Sequence, residues 1–299
     1  IIELLKSEYS RLNNDKFNIL IRNRSFLKEK NLYQGWERKR GALCDFNGLI
    51  LRSEAAPFRL ILGGSYAAKY VVAIDSDTLL NCADELTSIM EHPYNRAVTV
   101  AGLSVNSDSS SSEKTPFAML FSGASGLDSY SRGFELNSDL FGSGNYTGKG
   151  IYRVAEFDAA VGNAFRDNRI LSHDFIEGAY SGAKNCDETA LDSTPSSFAG
   201  WLRRRLRWLR GDWQLLPWLL PIVSSRSGKL CKNPISPMDK WHILINMLAP
   251  LSEACTLALV VVSGITGRWE TLIAAFLPSL VRVAFLLPLP FSSPREFSK

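Results

Sequence analysis

The stretch VVAIDSDTLL, residues 71–80, decides how this chain is read. Its apolar head is rich in β-branched residues, like a strand buried on both faces, and it stops at the acids Asp75 and Asp77. Carboxylates just past the carboxyl end of a strand in an α/β sheet stand at the crevice where such folds take their ligands. Two acids so close repel each other unless a cation lies between them, and their hard oxygens suit Mg²⁺ or Mn²⁺ bridging to phosphate. Taken alone, the same pair reads equally well as a helix cap.

Working outward, FNILIR (17–22) and RAVTVAGLSV (96–105) read as further strands, and ADELTSIMEH (83–92) as a helix. NSDSSSSEKT (106–115) reads as a polar loop. The alternation predicts a layered α/β domain over residues 1–213. The whole chain's 45% hydrophobic content supports a sizeable core, and its net charge of +4 argues against a nucleic-acid partner. The five cysteines are scattered without C-x-x-C spacing, which argues against a disulfide framework or zinc knuckle and for a reducing compartment. IIELLKSEYSRLNN, at the start, has the pattern of an amphipathic helix rather than a leader, so a longer protein is expected.

Beyond residue 213 the composition changes. WHILINMLAPLSEACTLALVVVSG (241–264) and WETLIAAFLPSLVRVAFLLPLP (269–290) are each long enough to cross a hydrocarbon layer of about 30 Å. A tight turn between them predicts a transmembrane hairpin over 241–290, with 214–240 as a juxtamembrane segment and 291–299 as a cytosolic tail. Arg226, Lys229, Lys232 and Lys240 precede the spans, and Arg295 and Lys299 follow them. This bias predicts a multi-pass membrane protein with its α/β domain in the cytosol. Glu253 and Arg282 fall inside the spans and are expected to pair or face other helices. The competing reading is a buried helical pair of a soluble protein.

Several motifs carry chemistry. Asp-Ser-Asp-Thr also fits the nucleophile loop of aspartate-based phosphatases, but those need a downstream lysine and acidic pair in an arrangement missing here. GSGNYTGKG (142–150) looks like a phosphate loop but has Ser143 and Gly150 at two required positions. Its glycines let the backbone approach a sugar or phosphate with Lys149 nearby, or make a flexible loop. LSHDFIEG (171–178) offers Asp174 as a general base for a sugar hydroxyl or as a helix cap. WLRRRLRWLRGDWQ (201–214) interleaves five arginines with tryptophans. Guanidinium forks suit diphosphate oxygens and indoles suit sugar faces, while the same pattern suits an interfacial helix.

In this order the motifs resemble the processive inverting glycosyltransferases of the cellulose-synthase type, and within them the glycosyltransferase module of cyclic β-1,2-glucan synthases. The likeness is carried by YQGWERKRGAL, AIDSDT, HPYNRA, DLFGSGNYTGKGIY, LSHDFIEG and RLRWLRGDWQ, in that order, and the similarity to the module extends over nearly the whole chain. The resemblance implies a GT-A-like fold, a mixed sheet flanked by helices, whose first nucleotide-binding strand would precede Ile1. It implies glucose transfer from UDP-glucose to a growing β-1,2-glucan acceptor, at a lipid membrane, beside the remaining modules of a larger synthase. It also implies roles. Asp75 and Asp77 would hold Mg²⁺ or Mn²⁺, and Asp174 would be the base. Lys39, Arg204 and Arg207 would bind the donor diphosphate, while Trp208, Gly148 and Lys149 would face the acceptor. A metal-dependent phosphohydrolase and a non-catalytic membrane scaffold remain as alternatives.

Overall fold

The computed structural model describes residues 18–28, 31–63, 67–80, 98–107, 146–171, 173–192 and 195–286, with isolated positions elsewhere, among them Leu86, Met90, Glu91 and Gly144. The expected motif HPYNRA and most of NSDSSSSEKT and ADELTSIMEH lie outside these residues; Leu86, Met90 and Glu91 of the last are helical. The chain divides into two compact units, residues 1–243 and 244–299.

The first unit is a mixed α/β assembly. Its strands are β1 (Ile19–Arg22), β2 (Ser25–Leu27), β3 (Leu32–Gln34), β4 (Phe58–Leu62), β5 (Tyr70–Ala73), β6 (Leu79–Leu80), β7 (Val100–Ser107), β8 (Gly150–Arg153), β9 (Lys184–Asp192), β10 (Ile222–Ser224) and β11 (Leu230–Lys232). Its helices are α1 (Arg38–Arg52), α2 (Val154–Val161), α3 (Asp174–Ser181) and α4 (Phe198–Gln214). The central sheet has five strands in the order β5-β8-β7-β9-β6, and three antiparallel pairs, β1–β4, β2–β3 and β10–β11, stand apart from it.

Strand direction positions the site. β5 is antiparallel to β8, β8 to β7, and β9 to β6, while β7 and β9 are parallel. Hence β5, β7 and β9 end at the same edge where β8 and β6 begin. Asp75, Thr78, Lys149 and Asp192 flank those strand ends and are brought together by topology alone.

Alternation along β8 divides the core between two faces. Ile151 packs with Leu86, Met90, Ala101, Leu103, Cys186 and Ala190 on one side. Its neighbour Tyr152 faces the opposite side, with its ring 4.4 Å from that of Phe157 on α2 and its hydroxyl donating to Asn47 Oδ1 of α1 at 2.9 Å. Gly150 lies where β8 crosses β7: a Cβ there would stand 2.3 Å from the Ala101 carbonyl oxygen. Only glycine lets the strands approach so closely.

The second unit is described by itself. Helix α5 (Pro237–Thr266) enters it, and α6 (Trp269–Leu286) follows after Gly267, which adopts φ 64. With 30 residues, and an 18-residue window within them of mean hydropathy 1.8, α5 is long and apolar enough to cross a membrane. The expected second span coincides with α6, whose side chains beyond residue 277 lie outside the described residues, as does Arg282. Glu253 falls within α5.

Candidate active site

Asp75 follows β5 after Ile74, and the residues after it form a turn into β6 rather than a helix, so the acids cap no helix. Thr78 ties the turn: its hydroxyl accepts from Asp75 N at 3.3 Å and donates to Asp192 Oδ1 at 3.1 Å. Two lysines converge on the Asp75 carboxylate. Lys39 Nζ donates to Oδ1 at 2.6 Å, and Lys149 Nζ lies 3.1 Å from Oδ2. Lys149 also donates to Asp192 Oδ2 at 2.9 Å. Burial pushes the Asp75 carboxyl up, but the Lys39 bond and the two ammonium charges outweigh it and hold the group below the usual range. Burial likewise depresses Lys149, and its bonds to Asp192 and Asp75 more than restore its affinity for the proton. Asp77 is exposed at the tip of the turn.

Asp174 opens α3. It is the first helical residue rather than the cap, since the N-cap position belongs to His173, and no side chain makes a cap bond there. The glycine loop presses against its carboxylate. Gly148 adopts φ 77, and a Cβ placed on it would stand 2.7 Å from Asp174 Oδ1. Burial raises the Asp174 pKa; Lys39 and His173 pull it down, and Asp75 pushes it up. One turn later Glu177 is fully enclosed, and burial together with Asp174 pushes its carboxyl up to about 8. Tyr146, also fully buried, is driven well above its ordinary value by the same burial and by Glu177. Glu177 Oε1 and Tyr146 Oη have no hydrogen-bond partner among the described residues.

The stretch Trp36 to Arg40 serves two places. Lys39 reaches Asp75, while Glu37 and Arg40, on one face at i and i+3, are 3.1 Å apart and turn inward. Arg40 lies over the rings of Trp36 and Phe165, at 5.3 and 5.7 Å.

Arg204, Arg207 and Trp208 stand on α4, whose start is capped by Ser197 accepting from Gly200 N at 3.2 Å. Arg204 lies over the Trp208 ring at 4.5 Å. The helix is tied to the base-bearing segment at its other end, where Gln214 Oε1 accepts from Leu171 N at 2.7 Å. Arg204 and Arg207 stand about two to three turns before that tie. Asp75, Lys39, Lys149, Gly148 and Asp174 thus form one cluster of contacts and mutual charge, with the α4 residues on an adjoining helix.

The sequence reading missed Asp192, Thr78 and Glu37. The signal for Asp192 was an acid closing a strand, the same as for Asp75, but KNCDETALD lacks the apolar run that marks β5. Glu37 sat inside a recognised motif without a task, because its partner is far away in sequence.

As metal ligands, Asp75 and Asp77 supply two hard carboxylates. Among the described residues no group of three or more acids, histidines or cysteines could enclose an ion. Both Asp75 oxygens are engaged by ammonium groups, so Mg²⁺ or Mn²⁺ would bind here only as part of a site completed by a substrate's phosphate oxygens and water.

No family model matches the sequence. The chain is 31% identical over 277 residues to the cyclic beta-(1,2)-glucan synthase NdvB of Rhizobium meliloti (strain 1021), covering 86% of this chain and 9% of that protein. It thus spans less than a tenth of the curated relative's length. The chain is a relative of one segment of cyclic β-(1,2)-glucan synthase.

Proposed function

We propose that residues 1–213 form a GT-A-like inverting glycosyltransferase unit that moves glucose from UDP-glucose to the 2-hydroxyl of a growing β-1,2-glucan. The observation that carries the reading is the cluster itself: an acid flanked by two ammonium groups at the sheet's carboxyl edge, beside a half-buried carboxylate pressed against a glycine loop. Likeness to a glucan synthase supports the substrate class.

In the proposed reaction the acceptor oxygen attacks C1 of the α-linked glucose, and the C1–O bond to the diphosphate breaks. UDP departs with the electron pair, and a β-linkage forms. Asp174 takes the hydroxyl proton; its raised pKa keeps it a better base than an exposed carboxylate. Gly148, without a side chain, leaves room for the Asp174 carboxylate itself. Asp75 and Asp77 would hold a divalent cation, which would supply charge neutralisation on the diphosphate. Lys39 and Lys149 hold the Asp75 carboxylate in place and add positive charge beside it, where phosphate oxygens are stabilised. Arg204 and Arg207 would meet the leaving diphosphate and Trp208 the acceptor sugar. The apolar α5 supports attachment to a membrane, with a second span and cytosolic orientation as part of the same proposal.

The test uses membranes carrying the full-length protein that contains this sequence. Labelled glucose from UDP-glucose should enter a 1,2-linked polymer, and Asp174→Asn should reduce incorporation about 10²- to 10⁴-fold. Release of inorganic phosphate without polymer would identify a phosphohydrolase. A correctly inserted protein with neither activity would identify a scaffold.

A further inference from the structure

Glu37 has a position that the proposed reaction leaves without a use. Glu37 and Arg38 enter α1 at φ 50 and 52, the left-handed region, which costs a non-glycine residue of order 1 kcal/mol and persists only where surroundings enforce it. Arg22 enforces it. Its guanidinium donates to Trp36 O at 2.8 Å and Arg38 O at 3.0 Å, and is anchored by Asp45 Oδ2 at 2.6 Å. The turn so held drives the Glu37 side chain inward to 1% exposure. There its Oε2 lies 3.1 Å from His173 Nε2, and its Oε1 accepts from Asn168 N.

His173 immediately precedes Asp174, and its backbone carbonyl accepts from Glu177 N at 2.8 Å, closing the first turn of α3. Phe165 stands 6.3 Å from its ring, and Arg40, over Phe165, completes the surroundings of Glu37. The imidazole thus faces, at ion-pair distance, an acid brought from a distant, strained turn. Strain of this kind gathers where geometry matters for function.

We propose that Glu37 is a positioning residue: through His173 it fixes the first turn of α3 and so holds the Asp174 carboxylate against Gly148. The inference rests on the reading of Asp174 as the base. Neither Glu37 nor His173 touches the reacting atoms. Charge works in the same direction, since a protonated His173 favours the ionised form of Asp174. Lys39 and Lys149 act likewise on Asp174, Asp75 opposes them, and Glu177 lies on the same helix; Glu37 and Arg40 are the charged groups around His173.

The experiment compares Glu37→Gln, His173→Gln and the double variant in the full-length protein, with turnover expressed per UDP-glucose site counted by direct binding. Each single variant should lower kcat about ten- to hundredfold, the loss expected from a small misplacement of a reacting group, with the KM for UDP-glucose within about twofold. The double variant should be no worse than the poorer single one, because both act through one contact. The acid limb of the kcat–pH profile should move to higher pH in His173→Gln and in the double variant, where the group that lowers the Asp174 carboxyl is removed. A merely structural role would lower the number of binding sites while leaving kcat per site and the acid limb unchanged, and that result overturns the proposal. Losses that multiply in the double variant overturn it too. A wild-type protein without glucosyl transfer would remove the reading of Asp174 and this inference with it; wild-type transfer with unaffected variants would remove the inference alone.

Discussion

Asp75 and Asp192, at the ends of two strands that run the same way, share one ammonium: Lys149 Nζ lies 3.1 Å from the first carboxylate and 2.9 Å from the second. Asp192 is 11% exposed and Lys149 8%, so this is a buried pair. Removing one partner of such a pair leaves a charge unmatched in a dry place. Asp192→Asn should therefore destabilise the fold by about 3 kcal/mol, read from denaturant midpoints. An unchanged midpoint would show that Asp75 alone satisfies the lysine.

Gly148 is a position where a single methyl group meets the candidate base. At φ 77, with its would-be Cβ 2.7 Å from Asp174 Oδ1, alanine strains the backbone and displaces the carboxylate. Gly148→Ala should lower kcat about hundredfold with UDP-glucose affinity retained. Equal losses in both would move Gly148 to the donor side.

Glu177 makes stability fall toward alkaline pH. In the fold it keeps its proton up to about pH 8, whereas the ordinary carboxyl value is 4.5. Between those values the unfolded chain binds fewer protons than the native one, so stability declines as pH rises through that window. Glu177→Gln should flatten the decline and be the more stable protein at its upper end. A variant whose thermal midpoints track the wild type across the window refutes the assignment.

Glu37 acts at the opposite end. Burial pushes its carboxyl up, but His173, the Asn168 amide and Arg40 outweigh burial and bring it down to about 2 from 4.5. Its contribution to stability is complete above 4.5 and lost as pH falls toward 2. Acid titration of Glu37→Gln should show a shallower loss over that interval than the wild type, and identical acid profiles would count against the buried ion pair.

Asp77, exposed beside Asp75, is expected to matter only when donor and metal arrive together. Asp77→Asn should abolish the Mg²⁺- or Mn²⁺-dependent part of UDP-glucose binding in a calorimetric titration and leave the metal-free part unchanged. Persistence of the metal-dependent part would assign the ion to other groups.

The strand at Val71, the acids that end it and the apolar stretch of α5 were legible because their signals are local. Each is a composition or period within a short window, set by burial of a strand's faces or the thickness of a hydrocarbon layer. β8, four residues long, and the polar β9 carry no such period, because a strand in the middle of a sheet is defined by its neighbours' hydrogen bonds. The candidate residues Asp75, Lys149, Gly148 and Asp174 were found through motifs, but a motif does not say what each side chain touches.

The sequence by itself determined the chemistry at hand: acids after a strand, a lysine in a glycine loop, a carboxylate opening a helix, and an apolar helix long enough for a membrane. Only the tertiary structure decided the partnerships. Lys39 and Asp75 are 36 positions apart, Thr78 and Asp192 114, and Glu37 and Asn168 131. These meetings depend on the order and direction of the strands and on a turn held in the left-handed region by Arg22. Strand pairing and backbone strain are settled by packing of the whole domain, which no short window of sequence contains.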